Sequence, residues 1–460
     1  MCRIFDCPGL TLAILWLPTF PPCLIFQIAM KLRNCLFVAC FCSLISPSIG
    51  TAGDRDWPQW RGPQRDGHAA AQPLLESWPD GGPAQIWQAS GLGRGYSTAA
   101  VVDQRIYTLG SDEAGCFAVC LNAADGGEVW RTTFSRASNG DDYNQGWGGG
   151  PRSTPTVVGN HIYVLSDVGV AAAIDRDSGD VTWKVDVVES YGGKVPTWGY
   201  SESLLVDGDR VVVTPGESNF MVGLNCSSGE KVWTSQGVNA PAQYVSPIKA
   251  TVAETTFYVT ASKPGLFAFD TTSGGKVFSD ASTGNNVAVI PTPILQGDEL
   301  YHTSDYGSGN TLIKLSGNGG GKIATESIYH LADKTMQNHH GGVVLVDGVI
   351  YGFTKANGGT WMAQDMASGE TLWEEKIRPN RSGSIAFADG RLYCYNDKDG
   401  SVYLVKPSRT GWESSGRLEL PRQTDLPRDK GAIWAHPIIA DGMLIIRDQD
   451  LMFAYDISRK

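Results

Sequence analysis

Aromatic, cationic and amide side chains gather in eight short segments of the chain, each lying close to an apolar run. The segments are Arg94-Gly95-Tyr96-Ser97, Pro151-Arg152-Ser153, Trp198-Gly199-Tyr200-Ser201, Gln243-Tyr244, Asn285-Asn286, Asn338-His339-His340, Asn380-Arg381-Ser382 and Trp434-Ala435-His436. Aromatic rings stack on planar groups, and arginine pairs with carboxylates through two parallel hydrogen bonds. If the fold brings the segments together, they could hold a planar, anionic ligand.

The side chains that we expect at such a site come from all eight segments. They are Arg94, Tyr96, Arg152, Trp198, Tyr200, Tyr244, Asn286, His339, His340, Arg381, Trp434 and His436. Two other interpretations stay open. In one, these residues only pack the loops around water; in the other, they contact a peptide or a partner protein.

The sequence contains no recognisable metal motif and identifies no catalytic residue. His339 and His340 are adjacent, and adjacent side chains on a strand point to opposite faces, so we interpret them as a polar loop with one histidine at the site. Four oxygen-bearing side chains lie near the segments: Glu202, Asn286, Asp305 and Asn338. A hard cation such as Ca²⁺ needs several converging oxygen ligands, and spacing alone does not show convergence.

An internal repeat must position these segments. Its best-marked element is Asp/Asn-x3-Gly-x3-Trp, found as Asn122/Gly126/Trp130, Asp175/Gly179/Trp183, Asn225/Gly229/Trp233, Asp270/Gly274/Phe278 and Asp365/Gly369/Trp373. Decayed copies are Ser316/Gly320/Ala324 and a stretch before Trp412. We interpret the Asp or Asn as the cap of a turn, the Gly as the residue that closes it with positive φ, and the Trp as the apolar cover of an outer strand.

The anchor residues set the size of the repeating unit. From Trp130 the anchor positions follow at intervals of 53, 50, 45, 46 and 49 residues, which leaves room for four short strands in each unit. The structural anchors are Trp87, Trp130, Trp183, Trp233, Phe278 and Trp373. Most units also contain a two-residue hairpin signal such as Val346-Asp347-Gly348-Val349. The fourth unit departs from this pattern, with Val252-Ala253-Glu254-Thr255 in its place.

Eight units can be counted, beginning near Ser97, Ser153, Ser201, Val245, Pro291, His340, Ser384 and His436. The last unit has three strands and no Trp anchor, whereas residues 84–88 carry Trp87 and have no unit before them. An N-terminal strand that completes the last unit would leave no long unpaired edge. The sequence therefore predicts an all-β protein, an eight-bladed β-propeller of four-stranded blades whose ring is closed by the N-terminal strand.

This repeat resembles the pyrroloquinoline quinone-type repeat, which builds the quinoprotein alcohol dehydrogenases and the BamB-like outer-membrane assembly propellers. The opening Trp57-Pro58-Gln59-Trp60-Arg61-Gly62-Pro63 is similar to the start of secreted BamB-like propellers, and the resemblance covers about residues 57–460. WD40 and kelch repeats match poorly, because the Gly-His and Trp-Asp pairs of WD40 and the marks of kelch are missing. The resemblance implies the fold, because the repeat is a structural device.

Two functions follow from the resemblance. The first is a binding or assembly scaffold of the cell envelope without turnover, which contacts an envelope protein or a small ligand at the channel mouth. The second is a diverged quinone-dependent dehydrogenase that uses pyrroloquinoline quinone with Ca²⁺. The quinoprotein alcohol dehydrogenases have an adjacent Cys-Cys disulfide and larger insertions, which this sequence lacks, so we favour the scaffold.

Composition and the N-terminus bear on where the protein works. The net charge is −11 and no basic run follows residue 53, so we expect no nucleic-acid partner. Lys31 and Arg33 precede a short apolar core, which is typical of a secretory signal, with a possible true start at Met30. We expect residues 1–53 to be this signal and 54–460 to be one exported, periplasmic propeller, monomeric and without a membrane span. A lipid anchor at Cys40 is the alternative.

Four cysteines follow the signal: Cys116, Cys120, Cys226 and Cys394. Cys116 and Cys120 lie four residues apart on a predicted strand, roughly 13 Å at 3.3 Å per residue, which is too far for a disulfide. We interpret all four as small buried side chains.

Overall fold

Each repeat supplies four short apolar runs separated by tight turns, and it folds into one antiparallel sheet. The computed structural model describes Gly53 and residues 55–318, 320–332 and 335–459. The predicted signal of residues 1–53, with the start at Met30 and the alternative lipid anchor at Cys40, lies outside the described residues except for Gly53. The described residues form eight four-stranded sheets arranged as a β-propeller, which confirms the predicted fold.

The first four blades follow one another along the chain, after strand β1 (Ala84–Ala89). Blade 1 contains β2 (Ala100–Val102), β3 (Arg105–Ser111), β4 (Cys116–Asn122) and β5 (Glu128–Ser135). Blade 2 contains β6 (Thr156–Val158), β7 (His161–Leu165), β8 (Val170–Asp175) and β9 (Val181–Asp186). Blade 3 contains β10 (Leu205–Asp207), β11 (Arg210–Val213), β12 (Val222–Asn225) and β13 (Lys231–Thr234). Blade 4 contains β14 (Ile248–Val252), β15 (Thr255–Ser262), β16 (Gly265–Asp270) and β17 (Lys276–Asp280).

The remaining blades repeat the same order until the last one. Blade 5 contains β18 (Ile294–Gln296), β19 (Glu299–Ser304), β20 (Gly309–Gly317) and β21 (Ile323–Leu331). Blade 6 contains β22 (Val343–Val346), β23 (Val349–Thr354), β24 (Thr360–Asp365) and β25 (Thr371–Glu375). Blade 7 contains β26 (Gly383–Ala388), β27 (Arg391–Asn396), β28 (Val402–Lys406) and β29 (Glu413–Leu418). Blade 8 contains β30 (Ile438–Ala440), β31 (Met443–Asp448) and β32 (Leu451–Asp456), with β1 as its fourth strand.

Strand β1 closes the ring, as the sequence predicts. It pairs antiparallel with β32, from Ala84 opposite Asp456 to Ala89 opposite Met452. The outer strand of blade 8 therefore comes from the opposite end of the chain, and no terminal blade is left with an unpaired third strand.

Helical structure is minor in the described part of the chain. Helix α1 (Val187–Tyr191) follows β9 and is capped by the Asp186 side chain, and Ala356–Gly358 form one 3₁₀ turn. Neither is long and apolar enough to cross a bilayer as a helix.

Hydroxyl groups at the starts of the repeats join neighbouring blades. Ser97 Oγ donates to the Ser153 carbonyl at 2.6 Å, and the backbone N–H of Thr154 donates to Ser203 Oγ at 2.8 Å. The N–H of Ser203 in turn donates to Ser246 Oγ at 2.9 Å. These side chains satisfy buried backbone groups that have no strand partner, which gives a reason for serine near the start of several units.

The Trp anchors dock each blade onto the next. Trp87 Nε1 donates to the Ala123 carbonyl at 2.8 Å, and Trp183 Nε1 donates to the Cys226 carbonyl at 2.7 Å. Both carbonyls directly follow the Asn cap of the next blade's turn. A Cβ added at Gly229 would lie 2.7 Å from the Trp183 ring. The repeat glycine therefore both takes positive φ and leaves space for the preceding blade's indole.

The decayed fifth anchor is replaced by a residue further along its strand. Tyr329 on β21 donates its Oη to the Met366 carbonyl at 2.8 Å, the position that a Trp Nε1 reaches elsewhere. A Cβ on Gly369 would meet Leu331 at 2.5 Å and Tyr329 at 3.3 Å. Blade 5 thus keeps the docking contact although Ala324 stands at the predicted anchor position.

Changing Gly229 to alanine is expected to lower the free energy of unfolding by about 2 to 4 kcal/mol. The left-handed φ of +72° costs a non-glycine residue about 1 to 2 kcal/mol, and the overlap with Trp183 adds about 1 to 2 kcal/mol. Gly208 is the matched control, since its φ is +61° and nothing lies within 4 Å of an added Cβ. Urea unfolding of both variants measures the difference, and equal losses would contradict the docking role.

The hairpin of the fourth unit lacks the Asp-Gly pair, yet it adopts the same left-handed turn as the Asp-Gly hairpins. Ala253 and Glu254 have φ of 46° and 66°, close to the 49° and 77° of Asp347 and Gly348. The strand register therefore enforces the turn where the residue types disfavour it. The four cysteines that follow residue 53 are unpaired. Cys116, Cys120 and Cys394 are buried as predicted, whereas Cys226 is only partly buried and the prediction is wrong for it.

The chain before β1 forms an N-terminal strap (residues 55–83), whose first part runs along the inner strands. Trp57 exchanges two backbone hydrogen bonds with Val101 of blade 1, and the Pro58 carbonyl accepts from Val157 of blade 2. Phe387 of blade 7 exchanges backbone hydrogen bonds with residues 67 and 69, and Leu75 donates to Ile457 after blade 8. Through these bonds the strap contacts four consecutive blades, 7, 8, 1 and 2, on both sides of the point where the ring closes.

Two buried arginines extend the contacts of the strap. Arg65 donates to the carbonyls of Ser203 and Leu204 at blade 3, at 2.7 and 3.2 Å. Arg61 donates to the carbonyls of Gly341 and Val343 at blade 6. Both side chains are almost fully buried among inner-strand backbone groups, so the first part of the strap occupies the middle of the ring. Its later part reaches the outer strand of blade 7, where the Trp78 N–H donates to the Ser415 carbonyl at 3.0 Å.

Candidate functional site

A cavity of about 340 Å³ opens among the loops that enter the inner strands. Its lining residues are Trp60, Tyr96, Trp147, Arg152, Trp198, Ser201, Tyr244, Val287, Ala288, Ile290, Tyr306, His339, His340, Lys355, Trp434 and His436. Trp60 comes from the N-terminal strap and donates its Nε1 to Thr292 Oγ1 at 2.8 Å. The strap therefore forms part of the cavity wall.

Eight of the twelve predicted site residues line this cavity: Tyr96, Arg152, Trp198, Tyr244, His339, His340, Trp434 and His436. The other four do not. Tyr200 is buried in the core and donates to the Pro215 carbonyl at 2.8 Å. Arg94 pairs its backbone with Ser111. Asn286 and Arg381 are exposed, and Arg381 lines a neighbouring groove.

Trp434 lies at the centre of the aromatic wall. Its ring is 5.2 Å from that of Tyr96, 5.8 Å from that of His340 and 6.0 Å from that of His339, measured between centroids. Trp147 lies 6.3 Å away at an interplanar angle of 23°, which is a stacked arrangement. Such rings give the cavity flat apolar faces.

Trp147 reaches the cavity because the longest insertion between blades is held in place. Tyr143 donates to the Asp167 carboxylate at 2.6 Å, and the N–H of Asn144 donates to the Thr197 carbonyl at 2.9 Å. Tyr96 Oη donates to the Trp147 carbonyl at 2.9 Å. These hydrogen bonds make the insertion part of the mouth.

Two cations reach the cavity. The Arg152 guanidinium donates to the carbonyls of Gly148 and Gly150 at 2.7 and 3.2 Å, and lies 5.3 Å above the Tyr96 ring. No carboxylate lies within ion-pair distance of Arg152 among the described residues. Lys355 is paired with Asp305 at 3.1 Å. Arg152 is therefore the cation that an incoming anion can meet without breaking an existing ion pair.

The three histidines of the cavity are held neutral. Burial lowers the pKa of His340 to about 3 and takes the pKa values of His339 and His436 well below the ordinary value, with nearby cations acting in the same direction. His436 Nε2 lies 3.1 Å from the His340 carbonyl, which makes that nitrogen the donor. His340 Nδ1 lies 3.0 Å from Ser382 Oγ.

Oxygen ligands for Ca²⁺ do not converge at this cavity. Asn338 uses its amide on the Gly342 and Phe353 carbonyls, and Asp305 faces Lys355. Glu202 is buried beside the strap and accepts from the Thr214 N–H. Within the described ranges no group of three His, Cys, Asp or Glu side chains could hold a metal ion. The donor set of the cavity does not fit a calcium ion.

A shallower groove adjoins the cavity and shares Trp147 with it. Its volume is about 510 Å³, and its lining residues are Trp147, Pro379, Arg381, Lys398, Asp429 and Lys430. Lys398 donates to the Gly431 carbonyl at 3.2 Å, and Arg381 and Lys430 are exposed. The groove carries three cations and one carboxylate although the whole chain has a net charge of −11.

Several cavity residues carry no direct signal in the sequence. Trp60 belongs to the opening motif, which indicates only a family start, and Lys355 and Tyr306 follow strands β23 and β19 without a motif. Each reaches the cavity through contacts between segments far apart in the chain. A signal was available for Trp147, because long insertions on one propeller face often bind ligands.

Known proteins with similar sequences are outer-membrane assembly factors. The family model described as outer membrane protein assembly factor BamB matches residues 117–375. BamB of Yersinia pestis is 23% identical over 379 residues, covering 80% of this chain and 77% of that protein. BamB of Shewanella oneidensis is 22% identical over 385 residues, covering 79% and 86%.

Solved structures with similar folds include both assembly factors and enzymes. BamB from Moraxella catarrhalis has a TM-score of 0.56 at 14% identity, covering 81% of this chain and 99% of that one. Quinohemoprotein alcohol dehydrogenase from Pseudomonas putida has a TM-score of 0.59 at 12% identity, covering 88% and 81%. A europium-containing methanol dehydrogenase has a TM-score of 0.61 at 11% identity, covering 85% and 89%. At these identities the likeness concerns the fold alone.

Proposed function

The chain belongs to the pyrroloquinoline quinone-type repeat family described as outer membrane protein assembly factor BamB, and on this premise we propose that it is a binding or assembly module of the cell envelope without turnover of its own. The observation that carries the proposal is the cavity wall. It consists mostly of aromatic and imidazole rings, while Asp305 faces Lys355 and Glu202 is buried away from the mouth. Such a wall holds an apolar or planar group and offers no free carboxylate as a base.

The location of the protein is part of the same proposal. Residues 1–53 would direct export, and residues 54–460 would work as one propeller in the periplasm or at the outer membrane. The curated relatives are named as outer-membrane protein assembly factors, which supports an envelope role. The partner would be an envelope protein or a small ligand at the mouth, and the propeller would act as a monomer.

Site-specific photo-crosslinking in intact cells tests the scaffold role. A photoreactive residue replaces Trp147 at the mouth, or Val129 on the exposed outer strand of blade 1 as the matched control. We expect an envelope protein to be crosslinked from position 147 and not from position 129. Equal crosslinking from both positions, or none from either, would contradict a binding role for the mouth.

The second candidate is a quinone-dependent dehydrogenase. The observation that favours it is the stacked pair Trp147 and Trp434 beside Arg152, because these groups could hold a planar quinone carrying carboxylates. The bound quinone would accept electrons from an alcohol. In this chain Arg152 would pair with its carboxylate and Trp434 would cover one face, whereas calcium has no fitting ligand set.

Titration of the mature protein, residues 54–460, with pyrroloquinoline quinone separates the two candidates. Thermal stability and the quinone spectrum are followed with and without Ca²⁺, and dye reduction is assayed with alcohols. For a scaffold we expect no saturable stabilisation and no dye reduction at ligand concentrations far above a plausible Kd. Dye reduction that is lost in Arg152→Gln but kept in the surface control Arg131→Gln would overturn the scaffold proposal in favour of the enzyme.

A further inference from the structure

The cavity and the cationic groove lie next to each other at Trp147. This residue lines both, and 38% of its surface is exposed. A compact ligand would need only the cavity. An open groove beside a largely apolar cavity instead suits an extended ligand with one end group that enters the cavity.

The cavity selects an apolar, flat end group. Besides its rings, it is lined by Val287, Ala288 and Ile290, and Ser201 is its one hydroxyl-bearing residue that is neither aromatic nor charged. An aromatic side chain can pack against the flat faces of these rings, and it fits a volume of about 340 Å³. Four polar atoms of the lining have no hydrogen-bond partner among the described residues, and they can meet the polar edge of such a ring: Trp198 Nε1, Tyr244 Oη, His340 Nε2 and His436 Nδ1.

The groove selects negative charge. Arg381, Lys398 and Lys430 lie along it, and no carboxylate is within ion-pair distance of any of the three in the described part of the chain. Asp429 is the single acidic residue of the lining. These cations run against the net charge of −11, so they create a local positive region on an acidic protein.

We propose that the cavity and the groove together bind an extended acidic peptide segment of a partner protein, with one aromatic side chain in the cavity and carboxylates along Arg381, Lys398 and Lys430. The inference rests on the proposed function and deepens it, because it states the chemistry of the partner segment. The aromatic residue provides the buried anchor, and the acidic residues provide orientation and a salt-dependent rate of association.

Fluorescence anisotropy with synthetic peptides tests this assignment on the mature protein, residues 54–460. The probe is a fluorescein-labelled ten-residue Gly/Ser peptide with one Phe followed by three Asp residues. We expect saturable binding that weakens at least tenfold when Phe is changed to Ala, and at least tenfold when the Asp residues are changed to Asn. Raising the salt concentration from 50 to 300 mM should weaken binding of the acidic peptide and leave the Asn peptide unaffected.

Protein variants locate the binding site. The double variant Arg381→Gln with Lys430→Gln should bind the acidic peptide at least tenfold more weakly than the unchanged protein does, and its affinity for the Asn peptide should not change. The control pair Lys231→Gln with Lys249→Gln changes two surface lysines of blades 3 and 4 outside the groove and should have no effect. Trp147→Ala should lower the affinity for the peptide that contains Phe more than the affinity for the peptide in which Phe is changed to Ala.

Three outcomes would overturn the inference. The first is equal affinity for the Asp and the Asn peptides. The second is an equal loss of peptide affinity in the groove variant and in the control variant. The third is displacement of the probe by a sulfated dextran oligomer but not by excess unlabelled peptide, which would indicate a polysaccharide ligand. Failure of peptide binding with a positive crosslink from position 147 would reject the peptide chemistry and keep the scaffold function. Failure of both would reject the scaffold function as well.

Discussion

Replacing Arg447 by methionine is expected to lower the free energy of unfolding by about 3 to 5 kcal/mol. Its guanidinium is fully buried on β31 of blade 8 and donates to the carbonyls of Ser97 and Leu109 at 2.8 and 2.6 Å and to Thr108 Oγ1 at 2.6 Å. A further bond reaches the Leu92 carbonyl at 3.3 Å. Methionine would fill most of the volume but would leave several buried acceptors without a donor, at about 1 to 3 kcal/mol each.

The size of this effect follows from the position of Arg447 at the seam of the ring. Four of its five acceptors belong to residues 92–109, the N-terminal side of the seam, whereas Arg447 lies near the C-terminus. The fifth acceptor is the nearby Gln449 carbonyl, at 2.7 Å. Strand β1 joins the two ends on the outside of blade 8, and Arg447 joins them on the inside. Burial lowers its pKa to about 9, which still leaves the side chain charged at neutral pH.

Urea unfolding of the mature protein measures the loss. Arg417→Met is the control, because Arg417 is 45% exposed and its ion pairs with Asp399 and Glu419 lie on the surface, where such pairs contribute about 1 kcal/mol or less. Arg447→Lys should fall between the wild type and Arg447→Met, since lysine keeps some donors. A change in Arg447→Met no larger than that in Arg417→Met would show that the seam does not depend on this residue.

The sequence predicts the propeller well because the repeat is built from local signals. The Asp caps of its turns act within a few residues: the N–H groups of Asp177 and Ser178 donate to Asp175 Oδ1 at 3.0 and 2.9 Å. Ring closure could also be predicted, because the strand that contains Trp87 belongs to no preceding unit and the last unit has only three strands. Tyr329 could not be found in this way, since its docking depends on a strand longer than that of the other units.

Contacts between distant segments account for what the sequence does not reveal. Arg447, Arg61 and Arg65 each stand in a context that resembles a strand end or a loop, yet each is buried and bonded to backbone carbonyls from other blades. Hydrogen-bond partners of this kind are set by the closed ring. A single sequence contains no periodic signal for them.

The same limit applies to the candidate site. The repeat indicates which loops enter the inner strands, and Arg152 and Trp434 of two such loops line the same cavity, because blade geometry sets where these loops converge. It does not fix the direction of each side chain. Tyr200 turns into the core to reach the Pro215 carbonyl, and Trp60 arrives from the strap, 374 residues before Trp434 in the chain. What the site binds stays a prediction.

Changing Glu202 to glutamine is expected to remove a pH dependence of stability of about 3 kcal/mol. Burial raises the pKa of Glu202 from 4.5 to about 7, although the hydrogen bond from Thr214 and the charge of Arg65 act in the opposite direction. The folded protein therefore binds a proton that the unfolded chain has released between pH 4.5 and 7. Stability from this group is complete below pH 4.5 and is lost as the pH rises to about 7, at about 1.4 kcal/mol per unit.

The difference between the wild type and Glu202→Gln isolates this contribution. The buried histidines act in the opposite direction, since their lowered pKa values remove stability as the pH falls below 6.5, but they are the same in both proteins and cancel. We expect the free energy of unfolding of Glu202→Gln, relative to that of the wild type, to rise by about 3 kcal/mol between pH 4.5 and pH 8. The exposed control Glu230→Gln should keep a constant difference. If the difference in free energy of unfolding between the wild type and Glu202→Gln does not change with pH, Glu202 stays ionised in the folded protein and Arg65 of the strap compensates its burial in full.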